Sequence, residues 1–281
     1  MVTKSATQPN MKTHTRLLVA ALTSAMSLPA MAAFSLEGKS DAEKGLAVAQ
    51  EAERRDEGWS DSSADMIMVL KNKGGRESRR ELRILSLEVP EDGDKSLTIF
   101  DSPRDVAGTA LLTHSHKVDA DDQWLYLPAL KRVKRIASNN KSGPFVGSEF
   151  AFEDLSSQEV EKYSYLYLRK EPCPSAESLE CHVVERDPVD ENSGYTRQVA
   201  WIDADEFRVH KVDFYDRKEK LLKTLSVSDF KQYLDQYWRG LSSVMQNHQT
   251  GKSTSLELQN LEFKTGLTEQ DFTENSLKRA R

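Results

Sequence analysis

The sequence predicts a mainly β protein with a few helices, built as a curled antiparallel sheet. Three observations carry this. From residue 64 onward apolar and polar residues alternate with period two, in short stretches rich in Val, Ile, Leu, Tyr and Trp. Turn signals separate those stretches: Asn72-Lys73-Gly74-Gly75, Asp92-Gly93-Asp94, Ser193-Gly194 and Thr250-Gly251-Lys252. Only one long helical pattern accompanies them, so helices cannot cover both faces of the sheet, and it must curl on itself or fold into a sandwich.

Residues 11 to 34 come first in the chain. Lys12 and Arg16 precede the apolar run Leu17-Leu18-Val19-Ala20-Ala21-Leu22, and Ser27-Leu28-Pro29 leads into Ala30-Met31-Ala32. This is the pattern of a secretory signal with an A-x-A cleavage site, which predicts that residues 1–32 are removed and that 33–281 folds as one domain. Met11 offers a second start that would give a more ordinary basic region. Lys4, Lys12 and Arg16 are the only ionised side chains in the first 32 residues. The remainder is therefore more acidic than the −6 of the whole chain, which argues against a broad affinity for nucleic acid. No later apolar run approaches the roughly 20 residues that cross a bilayer as a helix.

Ser40 and Glu43 form a capping box, and Ala42, Leu46, Ala49 and Ala52 then recur at helical spacing until Gly58, predicting a helix over 41–56. Strands are expected at 64–71, 79–89, 95–100, 110–117, 122–127, 131–137, 163–169, 181–186, 195–204, 206–215, 220–229, 239–248 and 253–263. Between them, residues 138–162 interrupt the sheet with Gly143-Pro144 and Gly147, and a second capping box at Ser156 and Glu159 predicts a short helix. No internal repeat or linker divides the chain.

Several strands lack a face reserved for water. Met66 to Leu70 are five apolar residues in succession, and Val199 and Trp201 share one face of a strand whose other face carries Gln198, Ala200 and Ile202. Curling such a sheet creates a concave apolar surface. Met66, Met68, Trp124, Tyr126, Val199, Trp201 and Phe214 are the candidate residues for a cavity that takes a long, flexible apolar ligand, because thioethers and aromatic rings adapt to variable chain shapes. The alternative is that these side chains form an ordinary core.

Cys173 and Cys181 are separated by seven residues, with Pro172 and Pro174 around the first. No second Cys/His pair with zinc spacing lies nearby, and in an oxidising compartment the default is a local disulfide contributing about 2 to 3 kcal/mol. A catalytic thiol pair would call for the Cys-x-x-Cys spacing that is absent. His114 and His116 could offer two metal ligands from one strand face, with Asp119, Asp121 and Asp122 downstream, but no third ligand is evident and solvated histidines are the simpler reading. No nucleophile elbow, zinc-protease helix, Walker loop or dinucleotide turn occurs, so neither an enzyme, a metal nor a cofactor is expected.

Two long motifs make a resemblance recognisable: Gln123-Trp124-Leu125-Tyr126-Leu127-Pro128-Ala129-Leu130-Lys131-Arg132-Val133-Lys134-Arg135-Ile136, and Gly147-Ser148-Glu149-Phe150-Ala151-Phe152-Glu153-Asp154-Leu155. It extends through Trp201-Ile202-Asp203, Lys211 to Asp216, Ser228-Asp229-Phe230 and Asn247 to Gly251. The chain resembles the outer-membrane lipoprotein-sorting family related to the LolA and LolB carriers. That resemblance implies a half-open β-barrel closed on its concave side by helices, residing in the periplasm and carrying acylated lipoprotein or lipid between membranes, with transient membrane contact. It also brings an inner-membrane exporter of the resistance-nodulation-division class as a candidate partner, and with it an alternative function, an accessory protein of that exporter without carrier activity. The helix at 41–56 and the 138–162 segment are the expected lid elements. Lys131, Arg132, Lys134 and Arg135 stand as a basic cluster in an acidic chain, suited to an anionic headgroup or an acidic partner, or to keeping an edge strand from aggregating.

Overall fold

Alternating sequence becomes a single sheet. The computed structural model describes residues 1–5, 34–174 and 176–279; apart from residues 1–5, the expected secretory signal lies outside the described residues. The strands are β1 (Asp61–Lys71), β2 (Glu77–Leu87), β3 (Lys95–Ser102), β4 (Ala110–His114), β5 (Asp122–Leu127), β6 (Arg132–Arg135), β7 (Tyr163–Cys173), β8 (Ala176–Pro188), β9 (Tyr195–Asp203), β10 (Val209–Asp216), β11 (Leu221–Tyr233), β12 (Tyr237–Asn247) and β13 (Ser253–Phe263). Every expected strand has its counterpart. The largest difference in extent lies in β8, whose pairing with β7 continues through Glu171 opposite Cys181 and Pro172 opposite Glu180, where charged residues and proline hide the alternation.

All thirteen belong to one sheet in the order β6-β5-β4-β3-β2-β1-β13-β12-β11-β10-β9-β8-β7. Two meanders, β1 to β6 and β7 to β13, meet where β1 pairs with β13. The edge strands β6 and β7 are thus consecutive in the chain, and the segment between them runs from one edge of the sheet to the other.

At about 4.8 Å per strand a flat sheet would hold β3 and β8 roughly 38 Å apart. Both line the same cavity, so the sheet curls. Each face of its N-terminal half is apolar. On the concave face Met68, Leu82, Phe100, Leu111 and Leu125 pack under Phe145 and Phe152 of the crossing segment. On the outer face Leu97, Ile99, Ala110 and Leu112 pack under Phe272 and Leu277, the latter on the C-terminal helix α2 (Glu274–Arg279). Met66, Met68 and Leu70 belong to the concave cluster, whereas Ile67 and Val69 are half-buried on the other face, outside the cluster that α2 covers.

The long helix α1 (Asp41–Asp56) starts at the expected capping box: Glu43 N donates to Ser40 Oγ at 3.3 Å, and Ser40 N donates to Glu43 Oε2 at 2.8 Å. Gly45 lets it lie directly on β7, since a Cβ there would stand 3.0 Å from the backbone of Leu166 and Tyr167. The second expected box does not form. Ser157, not Ser156, bonds Glu159, and the chain then makes a single 3-10 turn over Val160–Lys162 without a side-chain cap. The crossing segment consists of such 3-10 turns at Ser138–Asn140, Phe145–Gly147, Phe152–Leu155 and Val160–Lys162, because Gly143, Pro144 and its many bonds to the sheet leave no uninterrupted stretch for a helix.

Candidate ligand cavity

The concave face of the C-terminal half carries a row of apolar side chains. Val184 on β8 stands opposite Ala200 on β9, Ala200 opposite Val212 on β10, Val212 opposite Leu225 on β11, and Leu225 opposite Met245 on β12. Direct cross-strand neighbours make this row one continuous apolar wall. Facing it, Ser62, Ser86 and Ser96 form a second in-register row on β1, β2 and β3. Helix α1 supplies Ala49, Ala52 and Asp56 as a roof, and Phe150, Leu155 and Val160 of the crossing segment close one end. The cavity, partly open to solvent, has a volume of about 1070 Å³. That is the upper end of the roughly 300 to 1,000 Å³ usual for small-molecule sites.

The roof is held at its C-terminal end. Arg55 donates to the carbonyl of Asp205 at 2.6 Å and lies 4.4 Å over the Phe207 ring, while Arg239 on β12 donates to Asp56 at 2.5 Å. Arg208, at the cavity wall, packs 5.1 Å from Phe230 and 4.6 Å from Trp238. It donates to the fully buried Asp203 at 2.7 Å. Burial alone would raise the Asp203 pKa, but hydrogen bonds from His210, Arg208 and the backbone of Glu206 hold it well below the ordinary carboxylate range.

Carboxylates collect where α1 meets the crossing segment. Oxygens of Glu53, Glu159 and Glu161 lie within 4.8 Å of one another. Burial, reinforced by Glu161 and Glu159, raises the Glu53 pKa. Asp94 is pushed up to about 7, chiefly by burial and then by Glu159, Glu88 and Asp56. The cavity therefore pairs an apolar wall with a hydroxyl and carboxylate wall, an arrangement that fits an amphiphile lying between them.

The crossing segment is wired down. Buried Lys223 on β11 donates to Asp154 at 2.6 Å and to the Glu149 carbonyl at 2.9 Å; Gln123 donates to the Phe152 carbonyl at 2.9 Å, and Arg80 to the Val146 carbonyl at 2.7 Å. Tyr195 adds a hydrogen bond to Asp154 at 2.7 Å. These bonds tie the middle of the segment, from Val146 to Asp154, to the strands beneath it.

Of the seven residues read as cavity candidates, Phe214 lines the cavity. Met66 and Met68 are on the concave face but packed in or against the filled cluster beneath Phe145 and Phe152. Trp124 and Tyr126 lie on the outer face, against the cluster that α2 covers. Val199 and Trp201 are also outside, packed with the disulfide; Trp201 Nε1 donates to Glu171 at 2.6 Å. Alternation shows which residues share a face but not which face becomes the inside, and on β9 the inside is the Ala200 and Ile202 set. The wall residues missed, Val184, Val212 and Leu225, carried only the signal of an apolar strand.

Cys173 and Cys181 form the expected disulfide, closing the β7–β8 hairpin with Cα atoms 5.0 Å apart. The two strand histidines part company: His114 Nε2 meets the Phe272 carbonyl at 2.8 Å and His116 Nδ1 meets Asp92 at 2.6 Å. The basic cluster is remote from the cavity lining. Lys131, Arg132 and Lys134 are exposed at the edge of the sheet, and Arg135 pairs with Asp122.

A curled sheet whose concave side holds an apolar cavity under a helix defines a class, and the relatives specify it. A structure from Vibrio parahaemolyticus, named for an outer membrane lipoprotein-sorting protein domain, is 60% identical with a TM-score of 0.82, covering 85% of this chain and 100% of its own. A DUF1329 family protein from Desulfovibrio piger is 28% identical with a TM-score of 0.80, again covering 85% of this chain and 100% of its own. A LolA superfamily protein from Nitrosomonas europaea, 19% identical with a TM-score of 0.66 over 85% of this chain and 100% of its own, shares the fold. A family model described only as "uncharacterized protein" matches residues 92–279, and no curated protein matches the chain. The chain belongs to the family of the outer membrane lipoprotein-sorting protein domain that it matches at 60% identity.

Proposed function

We propose that this protein is a periplasmic carrier that takes acyl chains of lipids or lipoproteins into the cavity and moves them between membranes. The continuous row from Val184 to Met245 carries the reading: it is an apolar strip bordering a cavity of about 1070 Å³ beneath a helical roof, with Leu225 half-buried and the other members buried. An acyl chain in water forgoes about 0.8 kcal/mol per methylene, so crossing an aqueous gap requires such a shelter. The serine row and carboxylates receive the polar end. In this picture the exported part, 33–281, acts as one half-open barrel, and α1 is its lid, opening when the Arg239–Asp56 and Arg55–Asp205 contacts release. Loading and release need no covalent step and no cofactor.

The names of the relatives support lipoprotein sorting as the type of process. The alternative of a non-carrier accessory protein has a cavity that is vestigial or filled by its own side chains; a space of about 1070 Å³ speaks against the filled form and favours the carrier. Mass spectrometry of organic extracts from the purified protein tests the proposal. Stoichiometric lipid or acylated peptide is the expected result; extracts without acyl species, together with failure to bind added lipid, would refute it.

A further inference from the structure

The tip of the β5–β6 hairpin sets an exposed aliphatic side chain among cations. Pro128–Leu130 makes a 3-10 turn, and Lys131 comes next in the left-handed region with φ 49°. The sharp reversal leaves Leu130 63% exposed, with Lys131 and Arg132 beside it and Lys134 further along the strand. Between Asp122 and Glu149 the sequence contains no acidic residue, although acids outnumber bases in the chain. Among the described residues Lys131, Arg132 and Lys134 form no ion pair; the acid that faces this strand from β5, Asp122, is taken by Arg135. Helix α2 packs against β6 and brings exposed Lys278 and Arg279 in its last turn, with Glu274 in its first. The neighbouring β3–β4 loop, which touches Pro128, adds exposed Arg104 and Asp105.

We propose that this hairpin tip docks the protein on an anionic phospholipid membrane. Charge complementarity selects the occupant: unpaired cations on an edge strand gain from the negative surface potential of a bilayer. An aliphatic side chain projecting among them gains further by entering the interface, whereas on an acidic globular partner it would require a matching pocket. The free edge of β6 is short and charged, so it resists pairing with another strand, and its cations remain available. Docking stands on this surface alone, whatever the cavity holds.

The test is co-sedimentation of the protein with empty vesicles, either purely zwitterionic phosphatidylcholine or the same lipid with 30% phosphatidylglycerol. Binding should require the anionic lipid and be reversed by 0.5 M salt. At about fivefold per cation, the triple variant Lys131→Glu, Arg132→Glu, Lys134→Glu should bind at least about 100-fold more weakly, and Leu130→Ser a few-fold more weakly. Circular dichroism checks that the variants fold; Leu130→Ser and the salt titration decide the matter if the triple variant does not. Equal binding to both vesicle types, or unaltered binding by folded variants, would overturn the proposal and leave the cations to an acidic protein or to edge protection. Lipid extraction from the cavity is a separate readout, so either idea can fail without the other.

Discussion

The two halves of the concave face are made from the same alternating strands and end differently. Over β1 to β5 large side chains, Leu82, Phe100, Leu111 and Leu125, meet the aromatic knobs Phe145 and Phe152 and the space is filled. Over β8 to β12 the row is Val184, Ala200, Val212, Leu225 and Met245, and its cover is a helix contributing Ala49 and Ala52. The fixings differ as well. Phe152 and Glu149 are held by hydrogen bonds from buried Gln123 and Lys223, while the end of α1 is held by Arg55 and Arg239 at the protein surface. One half supplies stability and the other supplies room, and side-chain volume on a common backbone makes the difference.

The largest effect should come from breaking the filled half. Phe145→Ala empties a site that is 1% exposed and should lower the unfolding free energy by about 3 to 5 kcal/mol in urea titration. Val212→Ala removes less volume from a wall already bordering a cavity and should lower it by no more than about 1.5 kcal/mol. Equal losses would mean that the two halves are packed alike.

A smaller effect sharpens the comparison on the polar side of the cavity. Burial raises Asp94 from an ordinary carboxylate value to about 7, so the folded protein holds this proton more tightly than the unfolded chain does. Its contribution therefore turns unfavourable as pH rises from about 4 to about 7 and stays so above. Asp94→Asn should be more stable than the parent by about 1 to 2 kcal/mol at pH 8, discounted for its partial exposure, with no gain at pH 4. Thermal melts across that range check it; a gain independent of pH would show that the group is not buried as a charge.

Much of this architecture is legible in the residues. Period-two alternation marks part of most strands and fails where both faces are apolar, as at Met66 to Leu70, or where charges and proline intervene, as at Glu171 and Pro172; Ser40 with Glu43 marks the start of α1 because the capping bonds are local. Cys173 and Cys181 can be paired because their spacing leaves few alternatives. The cavity is legible only in kind. Trp124, Tyr126, Val199 and Trp201 suggest a wall by their size, yet large side chains fill space, and here they fill the outer face against Phe272, Leu277 and the disulfide. The row beside the cavity includes Val184, Ala200 and Val212, and an alanine or valine in a strand carries no mark of such a place. The anchoring of the crossing segment is hidden for a related reason: its partners, Lys223, Gln123 and Arg80, lie on strands distant in sequence, and only the topology that makes β6 and β7 opposite edges brings the segment over them.

The central claim is that the row under α1 is where hydrocarbon goes. Val212→Trp would fill the middle of that row while remaining apolar, and titration with a fluorescent long-chain fatty acid compares it with the parent. The account predicts saturable binding by the parent and at least about a tenfold loss in a variant that still folds. Undiminished binding by the folded Val212→Trp protein would place the ligand elsewhere and contradict it.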